Sequence, residues 1–184
     1  MNKNLYVVLM AGGVGTRFWP YSRNSRPKQF LDVLGTGKTL LQSTYERFLP
    51  LCPQENIFIV IHEEHEKLTK EQIAGISADQ LLTEPMRKNT APCIAYACHK
   101  IARLNKEAVV VVSPADHLIL NEEDFQATIR KAAEQAKSQD KLITLGIKPS
   151  RPETGYGYIQ YMESKNPLKK VKTFTEKPEL SLTK

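Results

Sequence analysis

The sequence predicts an α/β protein with a mixed, mainly parallel β-sheet flanked by helices. Four short apolar runs of strand length recur along the chain, and helical patterns lie between them. Continuous apolar runs of this kind form strands that are buried on both faces, and strands that alternate with helices favour parallel pairing. The predicted strands are Leu5–Met10, Ile57–Ile61, Ala108–Val112 and Leu142–Leu145.

Two of the segments between these strands have the periodicity of amphipathic helices. One begins at Thr90-Ala91-Pro92, and the other begins at Asn121, a favourable N-cap that is followed by three acidic residues. Both helices are therefore expected to pack one face on the sheet. The predicted apolar faces are Ile94, Cys98 and Ile101 in the first helix and Phe125, Ile129, Ala133 and Ala136 in the second.

The pattern changes after Pro149, where prolines and glycines interrupt the chain. Two strands without a helix between them follow, so we divide the single domain 1–184 into two segments, residues 1–150 and residues 151–184. Glu179–Thr183 is typical of the start of a helix, which indicates a domain truncated at its C-terminal end. The two late strands are predicted at Tyr158–Met162 and Val171–Thr175.

The composition is that of an ordinary globular protein, with 41% hydrophobic and 25% charged residues. No run is long enough to cross a bilayer or to form a signal peptide, which predicts a cytoplasmic protein without a membrane partner. The formal net charge of +6 suits an anionic partner, either nucleic acid, a membrane surface or a phosphorylated small molecule. The basic residues cluster in a phosphate-type loop and no nucleic-acid-binding motif is present, which favours the small molecule.

A glycine-rich segment, LMAGGVGTRFWPYSRNSRPKQF, follows the first predicted strand directly. Its glycines permit close backbone approaches, so the turn can aim backbone N–H groups at a phosphate. Arg17 supplies a planar fork of donors for phosphate oxygens, and Lys28 supplies a second, more mobile charge. The segment is not a P-loop, because Gly15 is followed by Thr16 and Arg17, and it lacks the third glycine of a dinucleotide fingerprint.

The same segment resembles the signature GGxGTRxxPxTxxxPK of the nucleotidylyltransferases that make nucleotide sugars. Here it reads GGVGTRFWPYSRNSRPK, with Ser22 where many relatives have Thr. The letters FWP, SR and KQF are similar to the form found in the mannose-1-phosphate guanylyltransferase family, and further motifs extend the resemblance over the whole chain. The resemblance implies a nucleotidyltransferase fold, Rossmann-like and of the GT-A type.

The resemblance also implies a nucleotide site within residues 1–150. Within EPMRKNTAP, Glu84 would accept hydrogen bonds from the guanine N1–H and exocyclic amine, and Asn89 would read a purine edge. An alternative is that Asn89 and Thr90 only cap the following helix. Within SPADH, Asp116 follows the C-terminal end of the predicted strand Ala108–Val112, where α/β proteins bind ligands, and the family makes the matching residue a ligand of Mg²⁺. The implied nucleotide-binding residues are Ala11, Gly12, Gly13, Gly15, Thr16, Glu84, Asn89, Thr90 and Pro114.

Two later motifs imply a sugar-phosphate site. The segment ETGYGYI resembles the sugar-proximal loop of the family, and FTEKP matches its FxEKP motif. Glu176 would accept hydrogen bonds from mannose hydroxyls, and Lys177 would pair with the sugar phosphate. The implied sugar-phosphate-binding residues are Tyr156, Gly157, Glu176 and Lys177, and the implied catalytic residues are Arg17, Lys28 and Lys177.

The reaction implied by the resemblance joins GTP and α-D-mannose 1-phosphate into GDP-mannose and pyrophosphate, by an Mg²⁺-dependent in-line displacement. The family places a second metal-binding aspartate beyond residue 184, and a homo-oligomer of the full-length protein is compatible with the sequence. Three alternatives stay open. They are a nucleotidylyltransferase that uses another hexose 1-phosphate with UTP or dTTP, a non-catalytic nucleotide-sensing homologue, and a nucleic-acid-binding module suggested by charge alone.

Two histidines stand among glutamates in the segment 62–66. His62 and His65 could form a metal cluster with these carboxylates. A solvated helix start is the better interpretation, since charged runs are usually exposed faces.

Overall fold

A four-stranded parallel sheet forms the centre of the first of two compact units, Met1–Lys141 and Leu142–Lys184. The computed structural model describes residues 1–13, 15–86, 89–139 and 141–182, with only the backbone of Arg17 and Leu182. No helix in these described ranges is long and apolar enough to cross a membrane. The strands are β1 (Leu5–Met10), β2 (Ile57–His62), β3 (Leu81–Glu84) and β4 (Val109–Pro114), in the order β3-β2-β1-β4.

Both faces of this sheet are covered, which is why its central strands are continuously apolar. Successive side chains of β1 point to opposite faces. Leu5, Val7 and Leu9 pack on one side in a cluster with residues of α1 (Leu40–Phe48) and α4 (Glu122–Gln139). Tyr6 and Val8 pack on the other side with residues of α3 (Thr90–Leu104). The remaining α-helix of the described residues is α2 (Glu66–Gln72).

The predicted fold class and the two predicted helices are confirmed, but the inner face of α3 is shifted by one residue. It buries Cys93, Ala97 and Ile101, whereas the predicted Ile94 and Cys98 are only partly buried. Asn121 caps α4, because its Oδ1 accepts a hydrogen bond from the backbone N–H of Asp124 at 3.2 Å. Ile129 and Ala133 are buried on the predicted inner face of this helix. Strand β3 was not predicted, because it has only two apolar residues, and these are followed by Thr83 and Glu84.

The prediction of a buried strand at Leu142–Leu145 is wrong. The segment has no regular secondary structure, and Leu142 and Leu145 are both exposed. A strand needs a neighbour that satisfies its backbone hydrogen-bonding groups, and no strand of the described residues pairs with this segment. Three apolar residues and a threonine do not form a strand without such a partner.

The second unit contains an antiparallel pair of strands, β5 (Tyr158–Tyr161) and β6 (Val171–Thr175), in which Tyr158 lies opposite Thr175. Both strands are confirmed, with β5 one residue shorter than predicted. The helix start expected at Glu179–Thr183 is a single 3-10 turn at Leu180–Leu182, and Thr183 lies outside the described residues. The functional division into 1–150 and 151–184 stays a prediction.

Candidate active site

The carboxyl ends of β1 to β4 share one edge of the sheet, and the loops that follow them carry the predicted nucleotide-binding residues. The chain runs from β1 to β2 and β3 on one side, and β4 then lies on the other side of β1. Such a switch of direction leaves a crevice outside the carboxyl ends of the two strands that flank it. The glycine loop follows β1 and Asp116 follows β4, so the two features lie beside this crevice.

The glycine loop lies directly against Lys28. Gly15 has a φ of +66°, and a Cβ atom there would lie 2.9 Å from both Cβ and Cγ of Lys28. Only glycine adopts this backbone conformation without strain and leaves this space free. Ser22 Oγ donates a hydrogen bond of 2.5 Å to the Gly15 carbonyl, which ties the loop to the next segment. Gly13 has open space around its Cα, and Val14 lies outside the described residues.

Gln29 supports the glycine loop from inside the protein, although no sequence motif had assigned it a role. Its side chain is buried, and Nε2 donates to the Ala11 carbonyl at 2.5 Å and to the Gly13 carbonyl at 2.9 Å. The N–H of Ala11 donates to the Val60 carbonyl at 2.8 Å, so both backbone polar groups of Ala11 are engaged within the protein. In the sequence, Gln29 stands within the letters KQF that resemble the family form, but these letters do not indicate a role for it.

Lys28 and Asp116 form an ion pair across the crevice. Lys28 Nζ lies 2.5 Å from Asp116 Oδ2, and each side chain is about a quarter exposed. The ammonium group also lies 5.8 Å from the centre of the Phe18 ring. Asp116 is held in place through its neighbour, because the N–H of buried Ala115 donates to the Met10 carbonyl at 3.1 Å. The structure thus joins a residue of the glycine loop motif to the carboxylate that follows β4.

Glu84 lies beside the glycine loop at the end of β3. Its Oε2 is 3.7 Å from the position that a Cβ atom on Gly12 would take. Burial raises the pKa of the Glu84 carboxyl, and the nearby His62, its register partner on β2, offsets part of this rise. Burial also raises the pKa of the Cys93 thiol to about 11, with a smaller contribution from the charge of Glu84.

Asn89 begins α3 in an unusual backbone conformation. Its φ is 67° and its ψ is −171°, a region that residues other than glycine rarely occupy and that is found preferentially at functional sites. Its side chain makes no capping hydrogen bond, so the alternative that Asn89 only caps the helix is not supported. Thr90 is the exposed first residue of α3, and Arg87 and Lys88 lie outside the described residues.

Aromatic side chains stand on the outer part of the glycine loop segment. Thr16–Phe18 forms a short 3-10 turn with an exposed Thr16, and the side chain of Arg17 lies outside the described portion of the chain. Trp19 is 71% exposed, and the guanidinium carbon of Arg23 lies 5.6 Å from the centre of its ring. Trp19 is the single tryptophan in the sequence, so its fluorescence can report on the position of this segment.

In the second unit, the predicted sugar-phosphate residues lie together at one end of the strand pair. A Cβ atom on Gly157 would lie 2.7 Å from Phe174 Cζ and 2.9 Å from Glu176 Oε2. Lys177 Nζ is 3.4 Å from Glu176 Oε1, and Lys177 has a φ of 43°. Tyr156, which precedes Gly157 in the sequence, is exposed.

The sequence predicts a solvated helix start at the histidine-rich segment 62–66, and the structure contradicts this prediction at His65. His65 is only 2% exposed and packs inside the protein, although its neighbours Glu63 and Glu64 are exposed. No cluster of three or more metal-ligating side chains occurs among the described residues, here or elsewhere.

Comparison with known proteins identifies similar sequences and folds. The nucleotidyl transferase family model matches residues 6–183. The chain is 42% identical over 176 residues to the xanthan biosynthesis protein XanB of Xanthomonas campestris pv. campestris, covering 95% of this chain and 37% of that protein. It is 40% identical over 181 residues to a mannose-1-phosphate guanylyltransferase of Escherichia coli, covering 95% of this chain and 38% of that enzyme. The chain therefore spans little more than a third of the length of these relatives.

A similar fold occurs in a crystal structure from Thermus thermophilus that is described as a mannose-1-phosphate geranyltransferase. The two structures superpose with a TM-score of 0.87 at 35% sequence identity. The match covers 98% of this chain and 52% of the other. The arrangement of strands and helices seen here is thus that of a known protein fold.

Proposed function

Because the chain belongs to the nucleotidyl transferase family, we propose that it is the catalytic part of a mannose-1-phosphate guanylyltransferase. The reaction transfers GMP from GTP to α-D-mannose 1-phosphate and releases pyrophosphate. The Escherichia coli relative, which carries this name, supports the choice of substrates. The observation that carries the proposal is the Lys28–Asp116 pair beside a glycine loop, at the carboxyl edge of the parallel sheet.

The ion pair suits a site for phosphates. Ion pairs that solvent reaches contribute roughly 1 kcal/mol or less, so Lys28 can exchange Asp116 for a phosphate oxygen at small cost. The direct contact between Gly15 and Lys28 keeps the ammonium group next to the loop amides. A lysine, backbone N–H groups and the guanidinium of Arg17 would then share the charge of the triphosphate.

The chemistry needs positioning and neutralisation of charge rather than a protein nucleophile. A phosphate oxygen of mannose 1-phosphate attacks the α-phosphorus of GTP, a new P–O bond forms, and the bond to pyrophosphate breaks. Two anions must approach each other, so fixed positive charge lowers the barrier. In this proposal Lys28 and Arg17 hold the triphosphate, and Lys177 orients the sugar phosphate.

Enzymes of this family generally use a divalent metal ion, and Mg²⁺ is the ion we propose. Mg²⁺ is usually held by one or two carboxylates together with substrate phosphates and water, so the single carboxylate of Asp116 fits it. When bound, the ion supplies Lewis-acid neutralisation of phosphate oxygens. Asp116 would hold the ion, and Lys28 would then be free to contact a phosphate oxygen.

Guanine recognition is assigned to Glu84. An ionised carboxylate only accepts hydrogen bonds, and guanine presents two adjacent donors, N1–H and the exocyclic amine. Uracil and thymine present one donor between two carbonyl oxygens, which a carboxylate repels. Glu84 Oε2 lies next to Gly12, and a residue larger than glycine at that position would narrow the space for a base. Asn89 and Thr90 lie at the start of the helix that follows and would complete this contact.

The test is a calorimetric titration with GTP, UTP, dTTP and ATP, with and without Mg²⁺, on the wild type and on Asp116→Asn. The substitution keeps the shape of the side chain and removes its charge. We expect GTP to bind most tightly, with an Mg²⁺-dependent increase in affinity that Asp116→Asn abolishes. The loss should be confined to the titrations with Mg²⁺, because in this proposal Asp116 acts on GTP through the ion.

A matched control is Asp79→Asn, an exposed aspartate in the short turn that precedes β3 and so lies at the opposite edge of the sheet. This variant should bind GTP like the wild type. Preference for UTP or dTTP would overturn the assignment of the base. Binding of GTP that Mg²⁺ does not enhance would overturn the role of Asp116.

A further inference from the structure

The segment that carries Lys28 is held at two points, one on each side of the lysine. His65 Nε2 lies 2.8 Å from the Asn24 carbonyl, and Gln72 Nε2 donates to the Phe30 carbonyl at 3.1 Å. Asn24 precedes Lys28 by four residues and Phe30 follows it by two. Both contacts come from α2 and the 3-10 turn Glu63–His65 that leads into it.

His65 is fully enclosed at this contact. Its side chain is 2% exposed, and its ring lies 5.5 Å from the ring of buried Phe30 at an angle of 42°. Thr69 Oγ1 donates to the His65 carbonyl at 2.9 Å, which fixes the backbone from which the ring projects. The ring therefore has little freedom to leave the Asn24 carbonyl.

The hydrogen bond assigns the tautomer of His65. A carbonyl oxygen only accepts, so Nε2 carries the hydrogen and donates to Asn24. Nδ1 is then an acceptor, and it is buried without a hydrogen-bond partner among the described residues. An unpaired buried polar atom lowers stability, and an apolar ring of similar size would avoid it. Compared with such an apolar ring, the histidine supplies one additional group, the Nε2–H that donates to the Asn24 carbonyl.

A contact at Asn24 is transmitted to Lys28 by a rigid turn. The backbones of Arg23 and Arg26 exchange two hydrogen bonds of 3.1 and 3.0 Å, which close the turn around Asn24. Pro27, which has a fixed φ, follows this turn and leads directly into Lys28. A displacement of the turn thus moves Lys28 relative to Gly15, where there is no spare space.

We propose that His65 is a positioning residue, which fixes the turn around Asn24 and thereby places the ammonium group of Lys28 at the phosphates. The importance of this placement for nucleotide binding rests on the proposed function. The geometric component of the proposal, which is that His65 holds the turn, is independent of that function.

The geometric component is tested without any ligand through Trp19, the single tryptophan, which stands on the same segment with Arg23 over its ring. The variants are His65→Phe, which keeps a ring against Phe30 and removes the donor, and His65→Gln, which restores a donor at a similar reach. We expect His65→Phe to shorten the anisotropy decay of Trp19, and His65→Gln to recover most of it. His99→Gln, at an exposed position on α3, is the matched control and should leave the decay unchanged.

The functional component is tested by combining His65→Phe with Lys28→Ala in a double-mutant cycle for GTP binding. Alone, His65→Phe should weaken GTP binding by up to about fivefold, because restoring the position of the turn costs no more than the one neutral hydrogen bond that had held it. In the Lys28→Ala background it should cause no further loss. Equal losses in both backgrounds would overturn the inference, as would an unchanged Trp19 decay in His65→Phe. If the wild type binds no nucleotide, the proposed function fails, while the Trp19 decay still decides whether His65 holds the turn.

Discussion

Replacement of Gly15 by alanine tests the link between the glycine loop and Lys28. At a φ of +66°, an L-residue costs roughly 1–2 kcal/mol more than glycine. The new Cβ would also lie 2.9 Å from two carbon atoms of Lys28 and 3.1 Å from its backbone nitrogen. Ordinary carbon–carbon contacts are about 3.5–4.0 Å, so Lys28 must move by about half an ångström or more. Overpacking of this kind costs about 1–3 kcal/mol.

We therefore expect Gly15→Ala to lower the free energy of unfolding by about 2–5 kcal/mol, taking strain and overpacking together. Two other glycines separate these contributions. Gly35 has the same φ of +66° but open space around it, so Gly35→Ala should show the strain alone. Gly13 has open space and no positive φ, so Gly13→Ala should leave the stability nearly unchanged.

Urea unfolding of the three variants measures these differences, and GTP titration of Gly15→Ala measures the effect on the site. Displacement of Lys28 should weaken GTP binding, even under conditions where the variant is fully folded. Equal stability losses in Gly15→Ala and Gly35→Ala would refute the reasoning about contact with Lys28. So would wild-type GTP affinity in folded Gly15→Ala.

Two further predictions concern Glu84 and Gly157. Burial raises the pKa of Glu84, so the folded protein loses stability as the pH rises through that pKa, and Glu84→Gln should raise the Tm at neutral pH. This gain should vanish well below pH 4.5, the ordinary value for the group, while GTP affinity at neutral pH should fall roughly 10- to 100-fold. Gly157→Ala should displace the Glu176 carboxylate and weaken binding of mannose 1-phosphate in equilibrium dialysis, whereas Gly146→Ala, with open space around it, should not. Because the displaced atoms are ends of exposed side chains, the urea midpoint of Gly157→Ala should change little; a large fall would contradict this account.

The sequence predicts those portions of the fold that have a strong local signal. β1 is a continuous apolar run and β4 begins with four valines, and α4 begins at an asparagine cap that the structure confirms. Helix α1 also has a local signal in the sequence, since Thr39 and Gln42 form a capping box at its start. By contrast, Leu142–Leu145 has the composition of a strand, but composition cannot supply a partner strand.

The candidate site was predicted through its motifs, but its contacts depend on the order of the strands. Lys28 and Asp116 are far apart in the sequence, and they meet because β4 pairs directly with β1. The same holds for Glu84, which approaches Gly12 through the pairing of β3, β2 and β1. His65 was misinterpreted because the charge of its neighbours suggested exposure, whereas its burial follows from packing against Phe30.

The ion pair between Lys28 and Asp116 also bears on how the site responds to ionic strength. A lysine without a carboxylate partner attracts a phosphate through an unpaired charge, and added salt screens this attraction and weakens binding. Here the ammonium group already has a carboxylate beside it, which acts as a built-in counterion. Binding at Lys28 replaces one charge pair with another, and salt screens both. The lysine can therefore take part in binding an anion while adding little to the salt dependence of its affinity.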